Sequence, residues 1–150
     1  RVFWFRHGCC RFIMPTNSPI VEKLFDRDAA ARAMGMELME SGVGHATVAL
    51  TVADAHLNFN GTCHGGIVFS LADMAFGLAS NSHGPVAAGI NANIAYHAAT
   101  QKGERLVARA REVTRSRRLA SYSVDVEDEK NTTVASFNGT VFITSNSHDE

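Results

Sequence analysis

The sequence predicts an α+β domain in which one long helix packs on a run of antiparallel strands. Two observations carry this. Residues 65–81 are rich in Ala, Leu, Phe and Met, contain no proline, and are stopped by Ser82-His83-Gly84-Pro85. After that stop, strand-like segments follow one another with only short turns between them.

The elements follow in order. Residues 18–33 read as a helix, with Ser18 as a candidate N-cap, Pro19 at the first helical position, and Val21, Leu24, Phe25 and Ala29 on one face. Gly35 ends it, residues 36–39 suit a short strand, and Ser41-Gly42 a turn. Residues 44–52 set Ala46, Val48, Leu50 and Val52 against His45, Thr47, Ala49 and Thr51, the alternation of a half-buried strand. Residues 54–62 form a polar loop around the turn pair Asn60-Gly61. Beyond the long helix, strands are expected over 87–97, 104–114, 119–127 and 132–144. Lys102-Gly103, Ser116-Arg117 and residues 128–131 supply the turns between them.

One domain over residues 14–145 accommodates these elements, with 146–150 as a tail and no internal repeat. Residues 1–13 crowd Phe3, Trp4, Phe5, Cys9, Cys10 and Phe12 and lack the apolar core and cleavage site of a secretory signal. They read as a leader ahead of a native start at Met14-Pro15, or else as an arm packed on the domain.

Lys and Arg number 14 against 15 Asp and Glu, which argues against nucleic acid or a charged membrane surface as the main partner. No apolar run approaches the roughly 18–20 residues of a membrane span. Three cysteines, two of them adjacent, make neither a disulfide framework nor a metal-type pair. A reducing cytoplasm is the expected setting. His45, His56, His83 and His97 show no ligand spacing, so no metal and no resident cofactor is expected.

Chemistry concentrates between Asn58 and Asp73. A polar loop runs into His64-Gly65-Gly66, which opens the long helix. Free N–H groups and the positive end of the helix dipole gather there, suited to an anion or to a carbonyl oxygen becoming one. The plainer reading is that the glycines merely permit a sharp turn. Helical periodicity places Gly66, Ser70, Asp73, Gly77 and Ser80 on a stripe of small and polar residues opposite Ile67, Val68, Leu71, Ala75, Leu78 and Ala79. Asp73 is the only charge in that stripe; the plainer reading pairs it with a neighbouring serine or backbone amide. Gly66 and Asp73 are seven residues apart, about 10 Å along one helix. One carbonyl cannot contact both groups of a single helix, so a shared reaction requires two antiparallel copies of it.

Asn58, His64-Gly65-Gly66 and Leu71-Ala72-Asp73, with the flanking Cys63, residues 69–76 and Asn81-Ser82-His83-Gly84, resemble the PaaI-type thioesterases, the phenylacetic acid degradation group of the hotdog fold. The resemblance spans about residues 21–143. It implies a hotdog fold, one central helix wrapped by a curved antiparallel sheet of about five to six strands, plus a short N-terminal helix. It implies hydrolysis of acyl-CoA thioesters, often aryl-acetyl or hydroxylated aryl-acetyl ones, with coenzyme A entering as part of the substrate. It also implies a homodimer with a continuous sheet, commonly paired into a homotetramer.

Under that resemblance Asp73 is nucleophile or general base, and the Gly65 amide polarises the thioester carbonyl. His64 fixes the loop or helps to bind the thioester, and Asn58 orients water. Gly66, Phe76, Asn81, Arg115, Arg117 and Arg118 are expected to meet substrate or coenzyme A. The arginines would take nucleotide phosphate, although a solvated basic hairpin explains them equally well. Phe59, Phe76 and Tyr96 suit an acyl pocket or simply the core. Gly77 stands where related enzymes carry a hydroxyl residue. Cys63 beside His64 suggests a thiol nucleophile, but no oriented relay accompanies it. A non-catalytic acyl-CoA-binding protein and a hotdog hydratase or dehydratase are the rival classes.

Overall fold

A computed structural model describes residues 17–148; the expectations for residues 1–13 and for Cys9 and Cys10 lie outside that range. Helices α1 (Pro19–Arg27) and α2 (Ala29–Ala33) precede strands β1 (Met36–Gly42) and β2 (His45–Thr51). A 3-10 turn (Asp54–His56) leads to α3 (Gly65–Asn81), then to β3 (Pro85–Tyr96), β4 (Arg105–Arg115), β5 (Leu119–Glu127) and β6 (Thr133–Ser147).

The six strands form one sheet in the order β1-β2-β4-β5-β6-β3, antiparallel at every pairing. Helix α3 packs across all six strands and is wrapped by the sheet. Its buried face, including Val68, Leu71, Ala75 and Leu78, meets Val48, Leu50, Leu106, Val124 and Phe137 in one core.

Four elements depart from the sequence reading. The first helix breaks at Asp28, whose backbone is extended and whose carboxylate accepts from the Ala31 amide at 2.8 Å. An aspartate able to cap a new helix start competes with continuing the old one. Strand β1 runs three residues beyond expectation, because a bulge between Leu38 and Glu40 interrupts the alternation that would reveal it. Strand β6 continues to Ser147, so 146–147 are strand rather than tail, and His148 is held by its amide to the Gly84 carbonyl at 3.2 Å. Ser80 is fully buried and donates to the Gly77 carbonyl, so the open stripe of α3 stops at Gly77.

Phe76 is 3 % exposed and stands edge-on to Tyr122 and tilted against Phe137. It is a core residue, not an acyl-pocket wall. Its ring lies over Gly139, where an added Cβ would come within 2.7 Å of it. Gly139→Ala is therefore expected to cost roughly 1–3 kcal/mol of stability in urea titration, since the aromatic cluster must shift.

The C-terminal end of α3 is tied down by polar groups. Glu112 on β4 accepts from the Tyr122 hydroxyl, and its Oε2 lies 2.8 Å from Nε2 of His83, just past the helix. Arg115 approaches the same oxygen at 3.6 Å. Burial alone would raise the Glu112 carboxyl, but the bonds from Tyr122 and His83 and the nearby charges outweigh it and hold it below the ordinary range. A depressed folded-state value stabilises the fold above the unfolded glutamate value and loses that contribution as pH falls through the folded one. Glu112→Gln is expected to cost about 2 kcal/mol at neutral pH, with the difference from wild type shrinking in acid melts.

Candidate active site

Helix α3 begins where the sequence places it, and its first turn has an unequal distribution of partners. The His64 side chain caps it, Nδ1 accepting from the Gly66 amide at 2.8 Å. The amides of Ile67 and Val68 bond back to the His64 carbonyl. Gly65 donates to nothing among the described residues. Gly66 therefore has no free amide to offer a ligand, contrary to expectation, and Gly65 does. Histidine is an uncommon cap, which hides this assignment from a sequence reading.

The Gly65 amide opens beside a cleft of about 350 Å³ lined by Thr62, Cys63, Val68, Tyr96 and residues 97–100. Tyr96, expected as acyl-pocket or core lining, anchors the helix start: its hydroxyl donates to the Gly65 carbonyl at 2.9 Å. An added Cβ on Gly65 would sit 3.3 Å from the tyrosine ring.

Asn58 closes the preceding loop. Its Oδ1 accepts from the amides of Asn60 and Thr62, and its Nδ2 donates to the Thr62 hydroxyl at 3.0 Å. Its side-chain hydrogen bonds all fall within the loop, which they hold closed. Cys63 is 7 % exposed, and burial pushes its thiol up, away from thiolate chemistry.

Asp73 lies in a second cleft of about 340 Å³, with Leu24, Met74, Gly77, Leu78, Val86 and Ala87 around it. It has no hydrogen-bond or ion-pair partner among the described residues; Ser70 spends its hydroxyl on the Gly66 carbonyl instead. Asp73 keeps an exposed surface, but the surrounding atoms of the cleft partly desolvate its carboxyl and raise it above the ordinary aspartate range. An unpartnered carboxylate with a raised pKa is suited to general-base or nucleophilic work.

Asn81 and His148 close the other end of that cleft. The Asn81 carboxamide donates to the carbonyls of Gly77 and Ala87 and accepts from the Ala87 amide. Sequence reasoning missed His148, which lies 67 positions from Asn81 and arrives only through the register of β6 with β3.

The arginine cluster divides. Arg115 turns inward to Glu112 and is not available to a phosphate. Arg117 and Arg118 remain exposed in the β4–β5 turn, beside a cleft of about 370 Å³ with residues 142–145. His56 and His97 bond to the Ala53 amide and the Ser136 hydroxyl. No cluster of metal ligands exists among the described residues, and no helix among them is long and apolar enough to cross a membrane.

One long helix wrapped by a six-stranded antiparallel sheet, with the Gly65 amide at its start and a mid-helix aspartate both unpartnered among the described residues, fits a hotdog-fold thioester hydrolase. The thioesterase superfamily profile matches residues 60–135, and the chain belongs to that superfamily. The acyl-coenzyme A thioesterase PaaI of Escherichia coli K12 is 34 % identical over 116 residues, 77 % of this chain and 83 % of the relative. The E. coli PaaI structure superposes with a TM-score of 0.82 at 31 % identity, covering 84 % of this chain and 91 % of that one. A variant of the phenylacetic acid degradation protein PaaI from Thermus thermophilus gives 0.74 at 43 % identity, over 77 % and 98 %. A Streptococcus mutans UA159 protein bound to acetyl-CoA gives 0.70 at 31 % identity, over 73 % and 88 %.

Proposed function

We propose that this chain hydrolyses acyl-CoA thioesters, with aryl-acetyl esters as the preferred class, at a site assembled from two copies. One observation carries the reading. The unpartnered Gly65 amide and the unpartnered Asp73 carboxylate belong to one helix but open into different clefts. Eight residues of helix separate them, about 12 Å of rise, too far for one carbonyl to meet both. Two α3 helices running antiparallel about a two-fold axis bring Gly65 of one copy to Asp73 of the other, twice.

Strand β3 supports the second copy. It is an edge strand of twelve residues with no charged side chain and no internal proline, and residues 88–93 are exposed. Natural edges of that length are normally blunted or paired. Pairing β3 with the partner's β3 would continue the sheet across the dimer, and two such dimers would form the tetramer.

In the assembled site the thioester oxygen accepts from the Gly65 amide, which stabilises the negative charge developing there. Asp73 of the partner subunit attacks the carbonyl carbon or removes a proton from the attacking water, and the coenzyme A thiolate departs. His64 and Asn58 hold the loop that aims the amide. Arg117 and Arg118 are the cations placed to meet coenzyme A phosphates. The acetyl-CoA-bound relative favours an acyl-CoA ligand over other thioesters, and the cysteine usage favours a reducing cytoplasm.

The test is thiol release from a panel of acyl-CoA esters. Release, fastest with aryl-acetyl esters, is expected. Binding without release would assign an acyl-CoA-binding protein instead, and loss of enoyl absorbance without thiol would assign a hydratase.

A further inference from the structure

Tyr96 is the last residue of β3, and about half of it is exposed. Its ring lies over Gly65, where an added Cβ would come within 3.3 Å of it, and its hydroxyl donates to the Gly65 carbonyl at 2.9 Å. The strand beneath it is firmly placed. Asn81, at the other end of α3, holds the amide and the carbonyl of Ala87 near the start of β3, at 2.8 and 3.0 Å. Strand and helix are therefore joined at both ends of the helix. Two peptide planes meet at the Cα of Gly65. The 64–65 plane ends in the unpartnered Gly65 amide, and its carbonyl accepts from the amides of Ile67 and Val68 at 2.9 and 3.2 Å. The 65–66 plane is held at both edges: the Gly66 amide donates to Nδ1 of His64, and the Gly65 carbonyl accepts from Tyr96. Each plane is rigid, so the Gly65 amide swings only through the torsions that flank it. Glycine leaves those torsions softer than any other residue would.

We infer that Tyr96 is a positioning residue for the oxyanion donor: its hydroxyl fixes the 65–66 peptide and so the direction in which the Gly65 N–H points. This rests on the Gly65 amide being the donor to the thioester oxygen. A donor stabilises developing charge best when it is aimed before the reaction begins, because aiming it during the reaction costs reorganisation. The phenol carries one hydrogen, and that hydrogen is committed to the Gly65 carbonyl. Tyr96 thus acts on the reaction through the helix start. Its effect falls on the transition state, where the charge develops, and appears in kcat rather than in KM.

The experiment is Tyr96→Phe, which keeps the ring over Gly65 and removes only the hydroxyl. With the fastest ester of the acyl-CoA panel, kcat is expected to fall about fivefold, the worth of one ordinary hydrogen bond, while KM stays within about twofold of wild type. Amide nitrogen relaxation, measured by NMR on the same protein, should show the order parameter of the Gly65 amide falling from about 0.85 towards about 0.6, with that of Ala75 in mid-helix unchanged. A tyrosine that serves only as packing leaves both kcat and the Gly65 order parameter at their wild-type values. Either of those results overturns the inference, as does a loss taken in KM with kcat unchanged. A fall shared by the Ala75 amide marks general loosening of the helix and overturns it too. If wild type releases no thiol, the hydrolase reading falls, and the order parameters alone decide whether Tyr96 holds the Gly65 amide.

Discussion

Asp73→Asn is expected to fold, to keep its oligomeric state, and to release thiol at least roughly a thousandfold more slowly than wild type. Asparagine matches aspartate in shape but can neither attack the carbonyl carbon nor take a proton from water. The carboxylate has no bonded neighbour among the described residues whose geometry would fail without it. The same substitution should raise stability at neutral pH. Partial desolvation in the cleft raises the pKa of Asp73, which is otherwise exposed, so the folded protein binds that proton somewhat more readily than the unfolded chain does. The site therefore costs stability once pH rises above the window between the two values, and asparagine removes that cost. Melting curves should coincide with wild type in acid and lie above it near pH 7. Turnover near the wild-type rate would sink the assignment of Asp73. Single turnover in isotopically labelled water separates its two roles, because label appears in Asp73 only if the carboxylate attacks.

Gly65→Pro is the second large effect. Proline removes one backbone N–H from the proposed oxyanion site and adds a ring whose Cβ meets Tyr96 as an alanine Cβ would. Position 65 is the first of the helix, where proline is well tolerated, and His64 before it already holds φ −64° and ψ 133°, the conformation that a residue preceding proline prefers. Loss of one oxyanion donor is expected to lower kcat by roughly a hundredfold to a thousandfold. Gly65→Ala keeps the amide but adds the Cβ that meets Tyr96 at 3.3 Å, and so measures the steric part alone. A proline variant with the activity of the alanine variant would show that the amide contributes nothing.

Much of this site was legible in the sequence because it is local. The loop turn at Asn60-Gly61, the glycines opening a proline-free helix, and one carboxylate on its small-residue stripe are all neighbours along the chain. Even the expectation of a second copy comes from helical rise alone. What escaped reading depends on partners distant in sequence. His148 reaches the Asp73 cleft through strand pairing, and Arg115 turns inward because Glu112, Tyr122 and His83 form a polar cluster around it. The break at Asp28 and the bulge in β1 were hidden for the opposite reason: each is a local competition that periodicity averages away.

The claim that each site is divided between two copies is tested most directly by mixing the two inactive variants. Gly65→Pro and Asp73→Asn proteins are unfolded together in equal amounts, refolded, and assayed for thiol release. In each mixed dimer, one site combines both substitutions and the other combines an intact Gly65 from one copy with an intact Asp73 from its partner. Half of randomly formed dimers are mixed, so activity should recover to about a quarter of that of wild type treated in the same way. If Gly65 and Asp73 of the same chain served one site, every site would carry a lesion. Activity no greater than the sum of the two variants, with mixed dimers demonstrably present, would contradict the account.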